Sequence, residues 1–388
     1  MGSPAKIKVL FNCSTNIVGG GIQNAYNFIL NASNDSEVDW MFLVSPQVYD
    51  QLLLLKLNVR NHRIIKITNS PSKSKKDRKL ILQYENQFDP DLVYTMGGPA
   101  YVKFKTYHIM GISNAYLTTA KLRTILYGRG LIESFLMVFR IKYLQIFLKR
   151  ADFYFFQTET SRDAFCKRYH VKKVYTAIIP NAISNIFNSV LPDRERIIDK
   201  KKLIIFCPAA AYPHKGLHTL PEIALRLKKT VKDQEFKFVT TLPFHSKLWK
   251  KIHRVARRKK ITDCFENMGP FDHKQAAELH YRSHIVFIPS VLETFSTSYL
   301  EGIAAKKPLL VADLPFAREV CGDHAQYMIP FSTKSAVSKL TDIILNYELH
   351  LQQFKNEDPV LNKYGDQEKR YSEIKKNLLR IQRDYIKM

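Results

Sequence analysis

Two glutamates follow an apolar run in the second half of the chain. The run Ile285–Ile288 predicts a buried strand, and Glu293 lies in the loop after it. A helix that contains Glu301 is expected to begin near Ser296, whose hydroxyl could cap it. Backbone N–H groups left free there would bind phosphate; they belong to Thr297, Ser298 and Tyr299. Carboxylates beside such a site suit sugar hydroxyls. The alternative is a capped helix with a solvated glutamate.

A second candidate site follows the run Leu203–Phe206, which predicts the first strand of the second half. Lys215 stands where a helix is expected to begin, so its ammonium could clamp a diphosphate beside a helix N-terminus. The imidazole of His214 could donate a further hydrogen bond to phosphate. An ordinary surface lysine after a turn is the alternative.

The first half offers a glycine loop and a histidine. Gly20 and Gly21 belong to a glycine triplet between the first predicted strand and helix, and glycine lets a backbone approach a ligand closely. A flexible turn is the alternative, and the triplet is not the GxGxxG pattern of a dinucleotide site. His108 lies in the run Tyr107–Ile112, where a lone histidine is usually structural.

The segment around Glu293 resembles the donor-binding motif of the retaining GT-B glycosyltransferases of the family 4-like group, the glycosyl transferases group 1. A Pro-Ser pair is followed by a glutamate, then a phenylalanine two positions on, then a second glutamate after seven intervening residues: Pro289-Ser290, Glu293, Phe295 and Glu301. The similarity is clear over about Leu203–Pro330 and weaker before that.

The resemblance implies roles for individual residues. Glu293 would face the transferred sugar, Glu301 would hold the ribose hydroxyls, and Lys215 would belong to a Lys-Gly donor site. The glycine loop would reach the donor phosphates or the acceptor, and His108 would lie in the cleft near the transferred sugar. These roles make three residues catalytic: Glu293, Lys215 and His108. The expected donor-binding residues are Glu301, Phe295, Ser296, Thr297, Ser298, His214, Gly20 and Gly21.

Three positions depart from the family's pattern. Ser296 stands where the family usually has glycine, and Gly302-Ile303-Ala304 replaces a common Ala-Met-Ala. Both changes keep small residues small. Ala209 stands six positions before Lys215, where many members carry an arginine. One phosphate-binding cation is therefore missing or supplied elsewhere, which supports the alternative of a catalytically inactive sugar-nucleotide-binding protein.

Apolar runs alternate with helical patterns along the whole chain, which predicts an α/β fold with parallel, fully buried sheets. The first half contains the runs Ile7–Asn12, Trp40–Val44, Ile64–Ile67, Leu92–Tyr94, Tyr107–Ile112, Phe153–Phe156 and Tyr175–Ile179. The second half contains Leu203–Phe206, Phe236–Val239, Ile285–Ile288, Leu309–Val311 and Tyr327–Ile329. Second-half helices are expected to begin near Lys215, Ser246, Asp272, Thr297 and Thr333.

This layout predicts a GT-B fold of two Rossmann-like doubly wound domains that face each other across a cleft. Residues 1–190 would form the acceptor-binding domain and 203–365 the nucleotide-sugar-binding domain. The polar segment 191–202 is interpreted as the linker. The polar tail from about Asp358 is expected to be one long helix, whose part 366–388 would return to the N-terminal domain.

The charge balance predicts an anionic partner. The 388 residues carry 60 Lys and Arg against 35 Asp and Glu, a formal net charge of +25. Such a surface suits nucleic acid, anionic lipid or phosphorylated small molecules. The apolar window Leu131–Leu148 has basic flanks and could be a core helix or a helix seated on an anionic membrane. No signal-peptide pattern is recognised and the five cysteines are scattered, so we expect a cytoplasmic protein, peripheral at the inner face of the plasma membrane.

No metal or other cofactor is expected. Asp89-Pro90-Asp91 looks like the metal-binding DxD motif of other glycosyltransferases, but it precedes a predicted strand, where a turn is the better interpretation. Cationic side chains and helix termini could neutralise a diphosphate leaving group instead.

Together these features predict a retaining enzyme that moves a hexose from a UDP- or GDP-linked sugar to a hydroxyl acceptor. The basic surface favours a lipid-linked glycan acceptor, as in the synthesis of a bacterial surface polysaccharide such as an O antigen. One alternative is another GT-B sugar-nucleotide enzyme, an epimerase or a phosphorylase. Another is a basic nucleic-acid-binding protein, but no recognition module is found, so no nucleic acid is expected as a partner.

Overall fold

The computed structural model describes residues 6–189, 201–271, 275–352 and 359–386. The chain forms two compact units. The first comprises Met1–Thr119, Leu136–Ala182 and Asp366–Met388, and the second comprises Ala120–Phe135 and Ile183–Gly365. Residues 191–200 of the predicted linker lie outside the described residues, and Lys202 already begins a strand.

The first unit is built on a seven-stranded parallel sheet in the order β3-β2-β1-β4-β5-β6-β7. Its strands are β1 (Ile7–Cys13), β2 (Val38–Val44), β3 (Ile64–Lys66), β4 (Leu92–Thr95), β5 (His108–Ile112), β6 (Phe153–Phe156) and β7 (Thr176–Ile178). Its helices include α1 (Gly20–Ala32), α2 (Pro46–Leu54), α3 (Lys75–Phe88), α6 (Glu159–Tyr169) and α16 (Gln367–Tyr385). Consecutive residues of β1, such as Leu10 and Phe11, are both fully buried, because helices cover both faces of the sheet.

The second unit is built on a six-stranded parallel sheet in the order β10-β9-β8-β11-β12-β13. Its strands are β8 (Lys202–Cys207), β9 (Glu235–Thr240), β10 (Phe265–Asn267), β11 (Ile285–Ile288), β12 (Leu309–Ala312) and β13 (Gln326–Met328). Its helices are α4 (Leu122–Leu126), α7 (Ile186–Ser189), α8 (Leu220–Thr230), α9 (Lys247–Arg258), α10 (Ala276–Arg282), α11 (Thr297–Ala304), α12 (Pro315–Cys321), α13 (Thr333–Leu345), α14 (Tyr347–Gln352) and α15 (Pro359–Tyr364). Helix α5 (Leu131–Leu148) has residues in both units.

The predicted parallel α/β architecture is confirmed, and every predicted strand is present. Strand β10 was missed because its three residues include the exposed Glu266 and form no apolar run. Helices α9, α11 and α13 begin where they were expected, whereas Asp272 lies outside the described residues. The predicted helix start at Lys215 is wrong. Lys215 ends a 3₁₀ turn, Gly216 turns the chain at φ +75°, and α8 begins only at Leu220.

The two units differ from the predicted domains in three respects. The second unit begins at Ile183 rather than after residue 190, because Ile183 and Phe187 lie in its core. Residues Ala120–Phe135 belong to it as well, because Tyr127 packs against His218 and Phe331. The polar tail is two helices rather than one, since Gly365 breaks it at φ +64° between α15 and α16.

Helix α16 packs on the core of the first unit. Its residues Ile374 and Leu378 join that core, and the Tyr371 ring lies 5.2 Å from the Phe28 ring. On the rim, Tyr371 donates a hydrogen bond to Asp35, and the Lys375 ammonium lies 2.8 Å from the same carboxylate. The helix therefore completes the first unit with both apolar and charged contacts.

Candidate functional site

The predicted site residues of the second half meet at the carboxyl ends of β8 and β11, two neighbouring central strands. Strand β8 leads into the loop that carries His214 and Lys215, and β11 leads into the loop that carries Glu293. Parallel strands end at the same edge of a sheet, so the loops that follow them come together there.

A buried ion pair joins the two loops. Lys215 Nζ lies 2.5 Å from Glu293 Oε1, and Ser290 Oγ donates a hydrogen bond to the same oxygen at 2.6 Å. The side chains are only 18% and 11% exposed, so water screens the pair weakly. Removing either partner would leave an uncompensated charge, which typically costs about 3–5 kcal/mol when the charge is buried.

Backbone contacts hold the loops at close range. The Val291 N–H donates a hydrogen bond to the His214 carbonyl at 2.9 Å. At Gly216, a Cβ atom would lie 2.6 Å from the Pro289 carbonyl oxygen. Both the left-handed φ of +75° and this lack of space require glycine at position 216.

His214 is half-buried beside the ion pair, and its ring stacks on Tyr212 at 5.5 Å. Burial lowers the pKa of His214 to about 4; Glu293 opposes this shift, while Lys215 and Arg129 add to it. His214 is therefore neutral near pH 7. Its predicted contribution to phosphate binding can be a hydrogen bond but not a positive charge.

Helix α11 begins at Thr297, as predicted, but Ser296 does not cap it. Ser296 occupies the cap position with an extended backbone, and its side chain makes no cap hydrogen bond. The Tyr299 N–H is not free, since it donates to the Ser296 carbonyl at 3.1 Å. Thr297 and Ser298 thus provide the first-turn N–H groups that helix geometry leaves without an intrahelical acceptor.

Phe295 is not placed to touch a ligand as expected. Its ring is 6% exposed and lies edge-on to Tyr364 of α15 at 5.2 Å, in the apolar core under the loop. Phe295 therefore anchors the Glu293 loop to the unit, because burying its aromatic ring in the core is more favourable than leaving it exposed for a ligand.

Glu301 lies one turn into α11 and is almost completely buried. Burial raises the pKa of Glu301 to about 7, and a hydrogen bond from the Ser298 side chain opposes the shift. His280 of α10 lies behind it, with Nε2 3.7 Å from Glu301 Oε2. Sequence reasoning missed His280, because a lone histidine in a short helix gives no signal of what it will face.

The remaining predicted residues lie in the first unit. Gly20 and Gly21 form the first turn of α1, where a Cβ at Gly20 would meet no atom within 4 Å. Their role in donor or acceptor binding stays a prediction. His108 is not a cleft residue: it begins β5, whereas ligands of such sheets bind at the carboxyl ends of strands. Its ring nitrogens contact Thr95 Oγ1 at 2.9 Å and the Arg150 carbonyl at 3.1 Å, and burial lowers its pKa to about 4.

Segment Ala120–Phe135 brings a further cation into the second unit. The Tyr127 ring packs edge-on against His218 at 4.6 Å and against Phe331 at 4.9 Å. Gly128 lies so close to His218 that a Cβ would be 2.8 Å from its ring. These contacts place Arg129 near enough to His214 to lower its pKa electrostatically. No sequence pattern predicts that Arg129 lies near His214, since the two residues are far apart along the chain.

The Asp89–Asp91 segment connects the end of α3 to β4, and Asp89 is the C-cap residue of α3. Asp89 follows α3 in the left-handed conformation, and the Asp91 carboxylate accepts a hydrogen bond from the Lys8 N–H at 2.8 Å. Over the described ranges, no three His, Cys, Asp or Glu residues are grouped as a metal site would need. Metal independence itself stays a prediction.

Residues 192–358 match the family model described as glycosyl transferases group 1. This part of the chain is therefore similar to that family. The chain is also 24% identical over 243 residues to the O-antigen chain mannosyltransferase RfbU of Salmonella typhimurium. That match covers 61% of this chain and 63% of RfbU, so it spans less than two thirds of this curated relative.

Solved structures show the same fold at low sequence identity. Anabaena HepE in complex with UDP and glucose superposes with a TM-score of 0.70 and 14% identity, over 96% of this chain and 99% of that one. WaaG, a glycosyltransferase involved in lipopolysaccharide biosynthesis, gives a TM-score of 0.69 and 14% identity over 94% and 99% of the two chains. The predicted GT-B fold is therefore confirmed.

Substituting Gly216 tests the close contact between the two loops. We expect Gly216→Ala to lower the free energy of unfolding by at least about 1–2 kcal/mol, because alanine is disfavoured at positive φ and would collide with the Pro289 carbonyl. Thermal unfolding by circular dichroism measures the change. Gly130→Ala is the control, since a Cβ there meets no atom within 4 Å. Equal stability of the two variants would contradict the close contact between Gly216 and the Pro289 carbonyl oxygen.

Proposed function

We propose that this chain is a retaining glycosyltransferase that moves a hexose from a nucleotide diphosphate sugar to a hydroxyl group of an acceptor. The observation that carries the proposal is the buried Lys215–Glu293 pair beside the start of α11, with Glu301 one turn further on. A cation and a helix N-terminus match a diphosphate, and carboxylates on either side match sugar hydroxyls. The group 1 match and the HepE complex with UDP and glucose support a sugar-nucleotide donor.

The chemistry would rest on stabilising the leaving group. Negative charge develops on the departing diphosphate, and the Lys215 ammonium and the N–H groups of Thr297 and Ser298 are fixed donors for it. The acceptor hydroxyl would attack from the face that the diphosphate leaves, which retains the anomeric configuration. Glu293 would hold sugar hydroxyls rather than act as a free base, because Oε1 already accepts bonds from Lys215 and Ser290.

Charge balance suggests a role for Arg129 in this reaction. Glu293 offsets the charge of Lys215, and His214 is neutral near pH 7, so these three groups give little net positive charge. A diphosphate ester carries negative charge, so its binding requires more positive charge than these three groups provide. Arg129 is the cation whose field reaches His214 besides Lys215, so we include it in the donor site as a second cation for the diphosphate.

Helix α5 supports a lipid-linked acceptor at an anionic membrane. Its apolar residues include several that are strongly exposed, namely Leu131 (84%), Ile132 (77%), Phe135 (62%), Leu136 (60%), Phe139 (55%) and Ile146 (61%). Exposed Arg140, Lys142 and Lys149 accompany them. An exposed apolar face beside basic side chains is the composition of a helix that lies in an anionic lipid surface. Of the described helices, none is long and apolar enough to cross a membrane.

The names of two similar proteins support the polysaccharide part of the proposal. RfbU is named as an O-antigen chain mannosyltransferase, and WaaG acts in lipopolysaccharide biosynthesis. We accordingly propose an acceptor in bacterial surface polysaccharide synthesis. Localisation on the cytoplasmic side of the membrane follows from that proposal, because nucleotide sugars are made there.

A nucleotide screen tests the donor site. We expect UDP or GDP to stabilise the protein by about 4 kcal/mol at a thousandfold excess over its dissociation constant, as measured by thermal unfolding. Lys215→Ala should abolish this stabilisation and the transfer of sugar, whereas Lys229→Ala on the exposed side of α8 should change neither. Unchanged transfer by Lys215→Ala would refute the assignment. Product analysis with and without acceptor separates a transferase from an epimerase or a phosphorylase.

Two variants of Arg129 test the second cation. We expect Arg129→Ala to weaken nucleoside diphosphate binding by about tenfold or more, which corresponds to one lost charge-assisted hydrogen bond. Arg129→Lys should restore part of the affinity. Calorimetric titration gives both values, and nucleoside monophosphate binding should change less. Affinities equal to that of the wild-type protein in both variants would remove Arg129 from the site.

Vesicle binding tests the membrane surface. We expect the protein to sediment with vesicles that contain anionic phospholipid and not with purely zwitterionic ones, and high salt should weaken the binding. The double variant Leu131→Ser, Ile132→Ser should lower vesicle affinity by about tenfold or more through lost apolar insertion. The control Leu54→Ser, Leu55→Ser removes two exposed leucines from the end of α2. Equal loss in both variants, or no binding at all, would contradict the proposal.

A further inference from the structure

His280 lies in an unusual place behind Glu301. Its ring is completely buried, and Nδ1 lies 2.8 Å from the Ala276 carbonyl oxygen. A carbonyl only accepts hydrogen bonds, so Nδ1 carries the proton and Nε2 of the neutral ring carries a lone pair. That nitrogen has no hydrogen-bond partner among the described residues, and it lies 3.7 Å from Glu301 Oε2.

The surroundings of His280 isolate this pair from water. The ring lies edge-on to Phe187 of α7 at 5.5 Å and to Phe206 of β8 at 4.9 Å. Two ionisable groups face the ring: Glu301 from α11 and the buried Lys307 after α11. Burial lowers the pKa of His280 to about 4, and Lys307 adds to this shift, so the ring is neutral before a ligand binds. On the other side of Glu301, the Ser298 side chain donates a hydrogen bond to the carboxyl group.

In this arrangement the Glu301 carboxyl group is partly protonated, and a ligand that needs the carboxylate must displace the proton. Burial raises the pKa of Glu301 to about 7, so much of the carboxyl group is protonated at neutral pH before any ligand binds. Ribose hydroxyls that donate hydrogen bonds favour the ionised carboxylate over the neutral acid. Nε2 of His280 is the adjacent group able to receive the proton, and a shift of less than about 1 Å would close the 3.7 Å gap to hydrogen-bond distance.

We propose that His280 is the positioning residue and proton partner of Glu301. When the two hydroxyls of the donor ribose reach Glu301, their hydrogen bonds stabilise the carboxylate, and the carboxylate in turn stabilises positive charge on the adjacent ring. The O–H bond at Oε2 then breaks and an N–H bond forms at Nε2 of His280. The proton stays within the pair, and the product is an imidazolium beside a carboxylate that holds the ribose. The inference rests on the proposed function, since it assumes that Glu301 binds a nucleotide.

The pH dependence of nucleotide binding tests the pair. Calorimetric titrations with UDP and GDP between about pH 6 and about pH 8.5 give the affinity of each variant relative to the wild-type protein, a ratio that cancels titration of the nucleotide itself. In the wild-type protein, the proton stays within the pair below the carboxyl pKa, so the pair adds no loss of affinity at acid pH. For His280→Phe we expect near wild-type affinity at the upper pH. Below the carboxyl pKa its affinity should fall about tenfold per pH unit, since the proton must then leave the site. His280→Gln should show the same direction if the phenylalanine variant folds poorly.

His284 provides the matched control. It is also buried, and its Nδ1 accepts a hydrogen bond from the Ile204 N–H at 2.9 Å, so His284→Phe loses stability but keeps the Glu301 pair. Its pH profile should run parallel to that of the wild-type protein. If the profile of His280→Phe is also parallel, His280 serves packing alone and this inference is overturned. Failure of the wild-type protein to bind UDP or GDP at any pH would overturn the proposed function together with it.

Discussion

The buried ion pair between Lys215 and Glu293 is the interaction on which the candidate site depends. It joins loops that follow two neighbouring strands, and Ser290 satisfies the same carboxylate oxygen. Two charges removed from water stabilise a fold only when each has a partner in good geometry. The pair therefore fixes the position of the Glu293 loop, and with it the start of α11, only while both residues are present.

Burial decides which groups of the site carry charge. His214 and His280 are held neutral near pH 7, and Glu301 is brought to the middle of its titration. The Lys215–Glu293 pair together with His214 and His280 thus presents little net charge before a ligand arrives. In the proposed function, diphosphate binding would depend on a few cations and on helix N–H groups, and ribose binding on where the proton of Glu301 goes.

The interleaving of the chain is a second constraint. Segment Ala120–Phe135 belongs to the second unit although its neighbours in sequence belong to the first, and α16 returns to the first unit from the other end of the chain. The ring contacts of Tyr127 hold segment Ala120–Phe135 in the second unit. The apolar face of α16 holds that helix on the core of the first unit. As a result, Arg129 lies in the second unit, although most residues that precede it in the sequence belong to the first.

The sequence by itself determined the parallel α/β fold and the central residues of the candidate site. The buried strands consist mainly of consecutive apolar residues, which a sequence shows directly. The Glu293–Glu301 spacing and the Lys215-Gly216 pair each lie within a short segment and are visible in the same way. The tertiary structure alone decided that Phe295 packs in the core, that Ser296 does not cap α11, and that His108 sits at the amino end of its strand. It alone brought His280 behind Glu301 and Arg129 toward His214. The physical reason is that such contacts are set by which surfaces the whole chain buries together, and no local pattern records that choice.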